Sequence, residues 1–441
     1  MKYIFRIYIY LFFFLFIYAC VPHDQQGGSG GYSSKKELRT QDYIYEPNIK
    51  TPLLYALQGP KNFEMNPPII PLNQTNGLML EFDDLSGQSA NYYVKLIHCN
   101  FDWSVSNLVT NQFIQDINEV FITDRKNSFG TRIPYIHYRT PLPPVKLSGN
   151  YIAAVYRNGD ENDLILTKRF IVFENRIIIV PDLKAPLNSA ERFTHQQIDF
   201  NIIYKDIDLA NPQQNFNIVI RQNFRWDKAI YNLKPVFMNE ALKRFEYTYF
   251  NGENNFPGYN EYRTFAIRST NFQDINVDNL RTTGGHAQID VRVDESNGTK
   301  PYVLFPDIDG RFVVEHYESK GRETEPDYVY VTFNLKSNDP APGKVFVVGS
   351  FNDYIPDSNS EMIYFPEEKL YKQKVLLKQG YYNYRYALIR PGSNKLDEAY
   401  FEGSHTITQN TYDFIAYYRP IGDRADRVIG YKMVNYQGGN R

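Results

Sequence analysis

From Asn91 to Cys99 the side chains alternate one by one, with Val94, Leu96 and His98 on one side and Tyr93, Lys95 and Ile97 on the other. A period of two predicts a β-strand with one packed face. It runs into Asn100-Phe101-Asp102-Trp103, a turn in which Asn100 and Asp102 bond their own backbone while Phe101 and Trp103 hold it down. A turn at Ser148-Gly149-Asn150 opens a second alternating strand, Tyr151 to Tyr156, the natural partner of the first. Leu78 to Asp83 predicts an earlier strand and Phe170 to Phe173 a last one, and together they read as the centre of an antiparallel β-sandwich. Further strands are predicted at Gln197 to Ile203, Phe216 to Arg221, Phe245 to Phe250 and Tyr262 to Arg268, then at Lys344 to Val348 and Gly380 to Tyr386. Helical patterns are scarce; Asn239 to Arg244 predicts one short turn.

These runs divide the chain into blocks. The expectation is a signal peptide over 1–19, a flexible linker over 20–44, and three successive immunoglobulin-like β-sandwiches over 45–175, 176–320 and 321–441. Domains of about 150 residues give the same count. The linker reading rests on Gln25-Gln26-Gly27-Gly28-Ser29-Gly30-Gly31, a flexible composition.

Composition supports an all-β chain: aromatic residues make up 16%, with 37 Tyr and 31 Phe, and these favour pleated surfaces. A net charge of −2 argues against a nucleic-acid binder, which carries a basic excess.

The N-terminus points to export. Lys2 and Arg6 precede an apolar run from Ile7 to Ala19 that is shorter than the roughly 20 residues of a membrane-spanning helix. The run ends at Ile17-Tyr18-Ala19-Cys20, which resembles the bacterial lipobox and implies lipid attachment at Cys20. Val21 stands where an inner-membrane retention signal would place Asp, and no acidic surface-export run follows. The expected location is therefore the periplasmic side of the outer membrane.

The second of the two cysteines, Cys99, then has no disulfide partner within the chain. His98 and Cys99 face opposite sides of a strand, so they do not share a metal ion, and Cys99 reads as a packing residue. Asp307-Ile308-Asp309-Gly310 places its glycine at the fourth position rather than the sixth of a calcium-binding EF-hand and reads as a turn. The seven histidines are scattered, with no His-Glu-x-x-His pair and no phosphate-binding Gly-Lys-Ser/Thr loop, and Gly27-Gly28-Ser29-Gly30-Gly31, a flexible linker composition, is no Gly-x-Ser-x-Gly elbow. No catalytic residue, cofactor, metal or small-molecule substrate is expected.

Two resemblances add to this. Lys344 to Tyr354, with Gly349-Ser350-Phe351-Asn352, and Gly380-Tyr381-Tyr382-Asn383-Tyr384-Arg385-Tyr386 resemble early-set immunoglobulin-like modules found beside glycogen-acting enzymes. Tyr354 stands where those modules often carry a tryptophan, and the likeness implies an alternative function, a glycan-binding lipoprotein. Ile97 to Trp103, Tyr135-Ile136-His137-Tyr138-Arg139, Ser148 to Tyr151, Thr167-Lys168-Arg169-Phe170, Asn260-Glu261-Tyr262-Arg263 and Tyr417 to Arg424 together resemble the type IX secretion system plug proteins. That likeness implies a non-enzymatic lipoprotein of the outer membrane that closes the periplasmic mouth of a very large translocon β-barrel when no cargo is engaged.

Overall fold

The strand Tyr92–Cys99 lies in the middle of a sheet, buried at Tyr92, Val94, Leu96 and His98 and half-buried at Tyr93, Lys95 and Ile97. In this computed structural model the described residues are 35–58, 63–74, 77–205, 207–319 and 323–438. The expected signal peptide and Cys20 lie outside them. On one side Tyr92–Cys99 pairs with Gly149–Arg157, which pairs in turn with Asp160–Phe173. The facing sheet is Ile49–Ala56, Leu78–Asp84, Ile136–Pro141 and Asp124–Asn127. Phe82, Tyr92 and Tyr138 pack together between the sheets, with ring centroids 4.8 to 5.2 Å apart.

Segment Lys36–Ile44 belongs to this domain rather than to the linker expected over 20–44. Tyr43–Ile44 pairs with Leu166 and Thr167, and the Asp42 carboxylate accepts the Arg169 N–H at 2.6 Å.

The strand Gly149–Arg157 is buried on both faces through Tyr156. Its second face packs with Cys99, Trp103 and Leu164, so the alternation seen at residues 92–97 stops where another element covers the sheet. His98 points the other way, its ring edge-on to Tyr151 at 4.9 Å, while Nδ1 and the Ser106 hydroxyl lie 3.0 Å apart. Burial holds the His98 ring down at about 4 and pushes the Cys99 thiol up to about 12. Replacing Cys99 with alanine is expected to destabilise the protein by about 1–3 kcal/mol in chemical denaturation, through lost packing alone. Rapid modification of Cys99 by a thiol reagent in the native protein would contradict its burial.

The boundary expected at 320/321 does not coincide with a division between sheets. Phe216–Gln222 pairs with Asn410–Tyr418, which pairs with Arg427–Tyr436. This sheet packs on Ile178–Lys184, His195–Ile203, Arg244–Tyr247 and Phe237–Asn239, around Ile198, Phe200, Ile220, Tyr247 and Phe414. The middle sandwich therefore includes the last strands of the chain. Conversely, Arg263–Ala266 and Phe312–Val314 pair with Gly380–Ile389, and His286–Val291 lies parallel to Tyr328–Lys336. These belong to a sheet of nine strands that wraps around Phe265, Val331, Phe333, Tyr382 and Tyr384, here called the third sandwich. Local alternation identifies strands but carries no information on which distant strand pairs with which. The short turn expected over Asn239 to Arg244 joins Phe237–Asn239 to Arg244–Tyr247, with Lys243 at φ +45°.

Candidate functional site

A cleft of about 930 Å³ opens where the three sandwiches meet. The first domain contributes Asp42, Trp103, Lys168 and Arg169, the middle sandwich Phe224, Arg225 and Trp226, and the third Asp309, Asp353 and Tyr354. Among the described residues, Trp103, Asn223, Phe224, Asp309, Asp353 and Tyr354 have positive φ and line this one cleft. Such conformations cost of order 1 kcal/mol or more each and persist where surrounding contacts over-determine them. Here those contacts are the seams between sandwiches.

The first seam starts from the Asn100–Ser104 turn. Its backbone closes on itself, with Trp103 N–H donating to Asn100 O at 3.0 Å and Asn100 N–H to Ser104 O at 2.8 Å. This sends Trp103 edge-on against Trp226 of the middle sandwich at 4.8 Å. Arg169 caps Trp103 at 4.3 Å, and Arg221 caps Trp226 at 4.2 Å. The chain's two tryptophans thus form one junction. Beside it, Phe101 N–H donates to Asp426 and Arg419 donates to Asn100, each at 3.0 Å. Tyr417 donates its hydroxyl proton to Asn150 at 2.8 Å.

The second seam is ionic. Glu398, fully buried, receives both terminal nitrogens of Arg225 at 2.6 and 2.8 Å and Arg385 at 3.2 Å, with Lys228 at 3.5 Å. Burial alone would raise the Glu398 carboxyl, but the charges of Arg225 and Lys228 outweigh it and hold the group well below the usual carboxylate range. The Arg225 guanidinium lies over Tyr354, 3.7 Å from the ring centroid. Tyr354, the residue the glycogen-module likeness would offer to a sugar, is therefore buried with a cation over its ring. Gly310 is required here: its φ is +78°, and a Cβ would fall 2.1 Å from the Tyr354 hydroxyl oxygen.

A third seam joins the first domain to the third sandwich. Asp83 accepts from Lys378 at 2.6 Å, from Tyr328 at 2.7 Å and from His137 Nδ1 at 2.8 Å. Nearby, Lys168 reaches both Asp353 oxygens at 2.8 and 3.0 Å, and Tyr135 donates to Pro326 O at 2.9 Å. Glu64 sits on the edge of this seam, and burial together with the neighbouring Glu81 charge raises its carboxyl from near 4.5 to about 7. A raised carboxyl favours the folded state when protonated. That contribution is complete below about pH 4.5 and is lost as pH rises through about 7. Glu64→Gln is expected to remove this slope and to exceed the wild-type stability at pH 8 by about 1–3 kcal/mol. Parallel denaturant midpoints at pH 5 and pH 8 check it.

Each block quoted for the plug-protein resemblance supplies a residue to these seams: Asn100 to Trp103, Tyr135 to Arg139, Asn150, Lys168 and Arg169, Asn260 and Tyr262 against Arg385, and Tyr417 to Arg419. At the start of the strand Arg263–Ala266, Arg263 pairs with Asp294 at 2.8 Å and with Glu402 at 2.9 Å. The sequence reading missed Trp226, Arg225, Glu398, Lys378 and Asp83. Arg385, set inside the aromatic run Tyr-Asn-Tyr-Arg-Tyr, was the available clue, because a cation in a buried strand needs a buried partner. Among the described residues, no group of three or more His, Cys, Asp or Glu side chains is placed to hold a metal ion, and no helix is long and apolar enough to cross a membrane.

The architecture defines an all-β protein of several sandwiches joined by buried polar seams. Residues 49–174 match the family described as type 9 secretion system plug protein 1st domain, so this segment is a type IX secretion system plug domain. Its role is accordingly related to type IX secretion, at a membrane-associated location. The crystal structure of a hypothetical protein from Parabacteroides merdae ATCC 43184 is similar along almost the whole length, with a TM-score of 0.83 and 30% identity. The alignment covers 90% of this chain and 100% of that one. No curated protein matches.

Proposed function

We propose that this protein is a stopper: it fills the periplasmic opening of the type IX translocon β-barrel while no cargo is engaged, and it catalyses nothing. The observation that carries this reading is mechanical. Residues 36–441 form one compact unit, with sandwiches joined through buried ion pairs, stacked rings and exchanged strands. A pore wide enough for folded cargo leaks unless something large and stiff occupies it, and a chain of loosely hinged domains would not keep it shut. A lipid on Cys20 would hold the stopper near the opening, so that a weak and exchangeable contact suffices. On this reading the protein sits at the outer membrane, on the periplasmic side.

The test is an affinity pull-down of the native lipoprotein from membranes in mild detergent. Recovery of a very large β-barrel from wild type, with less of it from Cys20→Ala, is expected. Retention of the protein on a glucan column, with no barrel recovered, would return the case to glycan binding.

A further inference from the structure

We infer that the crevice along the seam between the first domain and the third sandwich binds a protonated amine or guanidinium group. Its volume is about 270 Å³. Glu315 and Glu323 stand at its mouth, with 48% and 37% of their side chains exposed, and Asp83, His137 and Lys378 form its buried floor.

Among the described residues, the charges in the crevice are matched except at one place. Asp83 is paired with Lys378 at 2.6 Å, Glu81 with Arg139 at 2.9 Å and Glu315 with Arg268 at 3.7 Å. Glu323 is paired with Arg139 at 2.7 Å and Lys126 at 3.4 Å. Glu64 has no ion pair among the described residues; it accepts the Val314 N–H at 3.3 Å and faces Glu81 across the crevice. Its carboxyl is accordingly raised to about 7, by burial first and then by the Glu81 charge.

A second, independent observation concerns His137, whose side chain is 7% exposed. Its Nδ1 is engaged by Asp83 at 2.8 Å, while Nε2 is buried with no hydrogen-bond partner, 3.9 Å from a Glu81 oxygen. In a neutral ring that nitrogen is an acceptor, so the crevice wall holds a lone carboxylate and, just beneath its surface, a lone acceptor nitrogen. His316, also lining the crevice, leaves Nδ1 without a partner while Nε2 lies 3.0 Å from Glu318.

The ligand chemistry follows by elimination. An anion would meet five carboxylates. A neutral donor, such as a sugar hydroxyl or water, would satisfy His137 but leave the Glu64 charge unmatched. A cation with several N–H groups answers both, since an ammonium carries three donors and a guanidinium five. Such a group comes from a free polyamine or from a lysine or arginine side chain of a protein partner. The inference is independent of the stopper reading.

The experiment is calorimetric titration of the full chain with propylguanidinium chloride at pH 8, against sodium chloride at equal ionic strength. Saturable binding near about 1 mM is expected, at least tenfold weaker in Glu64→Gln and two- to threefold weaker in the exposed rim variant Glu315→Gln. At pH 7 the wild-type heat should depend on the buffer, because the bound cation displaces the Glu64 proton, and this dependence should vanish in Glu64→Gln. Spermidine and an acetyl-Gly-Arg-Gly amide then separate the sources. Tighter binding of spermidine supports a free amine, and tighter binding of the peptide supports a partner side chain. No heat beyond the salt control, or equal binding by Glu64→Gln, overturns the proposal.

Discussion

Trp103→Ala is expected to destabilise the protein by roughly 3–5 kcal/mol, the cost of removing a packed aromatic side chain. The ring is 2% exposed, packed edge-on to Trp226 and capped by Arg169 at 4.3 Å. Its loss removes more than volume, because Arg169 and Trp226 then face a void that separates two sandwiches. The single unfolding transition expected of the locked body should resolve into two, with the first domain melting earlier. Intrinsic fluorescence reports on this directly, since the chain has no tryptophan besides these two. In the variant, emission from Trp226 should shift to the red before the global transition. An unchanged midpoint would mean that Trp103 contributes nothing to the seam and is available to a partner instead.

Glu398→Gln is expected to cost about 3–5 kcal/mol, because it breaks a buried pair and leaves cations uncompensated. The glutamine side chain would still fit the space, but Arg225 would keep only Asp227 as a carboxylate partner, at 2.7 Å, and Arg385 would keep the Asn260 carbonyl. The sign with pH follows from a folded-state carboxyl held below its ordinary value. The contribution is fully present above about pH 4.5 and is lost as pH falls. The deficit of the variant should therefore be full at pH 7 and shrink in strong acid, which denaturant midpoints across an acid series will show. A deficit that stays constant into strong acid would mean that Glu398 acts through shape rather than charge.

How much of this was legible varies with the range of the interaction. The strand Tyr92–Cys99 and its partner Gly149–Arg157 followed from local alternation and turn residues, and so did the opposed directions of His98 and Cys99. The pairing of Phe216–Gln222 with Asn410–Tyr418 did not, since nothing in either segment encodes a partner some two hundred positions away. Tyr354 shows the limit from the other side. Its motif left a core ring and a sugar platform as alternatives, and only the folded chain reveals that Arg225, from another sandwich, lies over the ring. The seams were half visible: Lys168 and Arg169 stand out as cations in an apolar strand, whereas their partners Asp353 and Trp226 lie in distant loops.

The most direct measurement of the stopper account compares outer-membrane permeability with type IX secretion in a strain lacking this protein. Entry of large hydrophilic solutes, such as bulky antibiotics, should rise sharply while cargo export largely continues, because a stopper acts only on an empty channel. Restoring the chain with Cys20→Ala should repair the barrier in part, since the folded body survives while its local concentration falls. Unchanged permeability together with abolished secretion would contradict the account and mark the protein as an assembly factor.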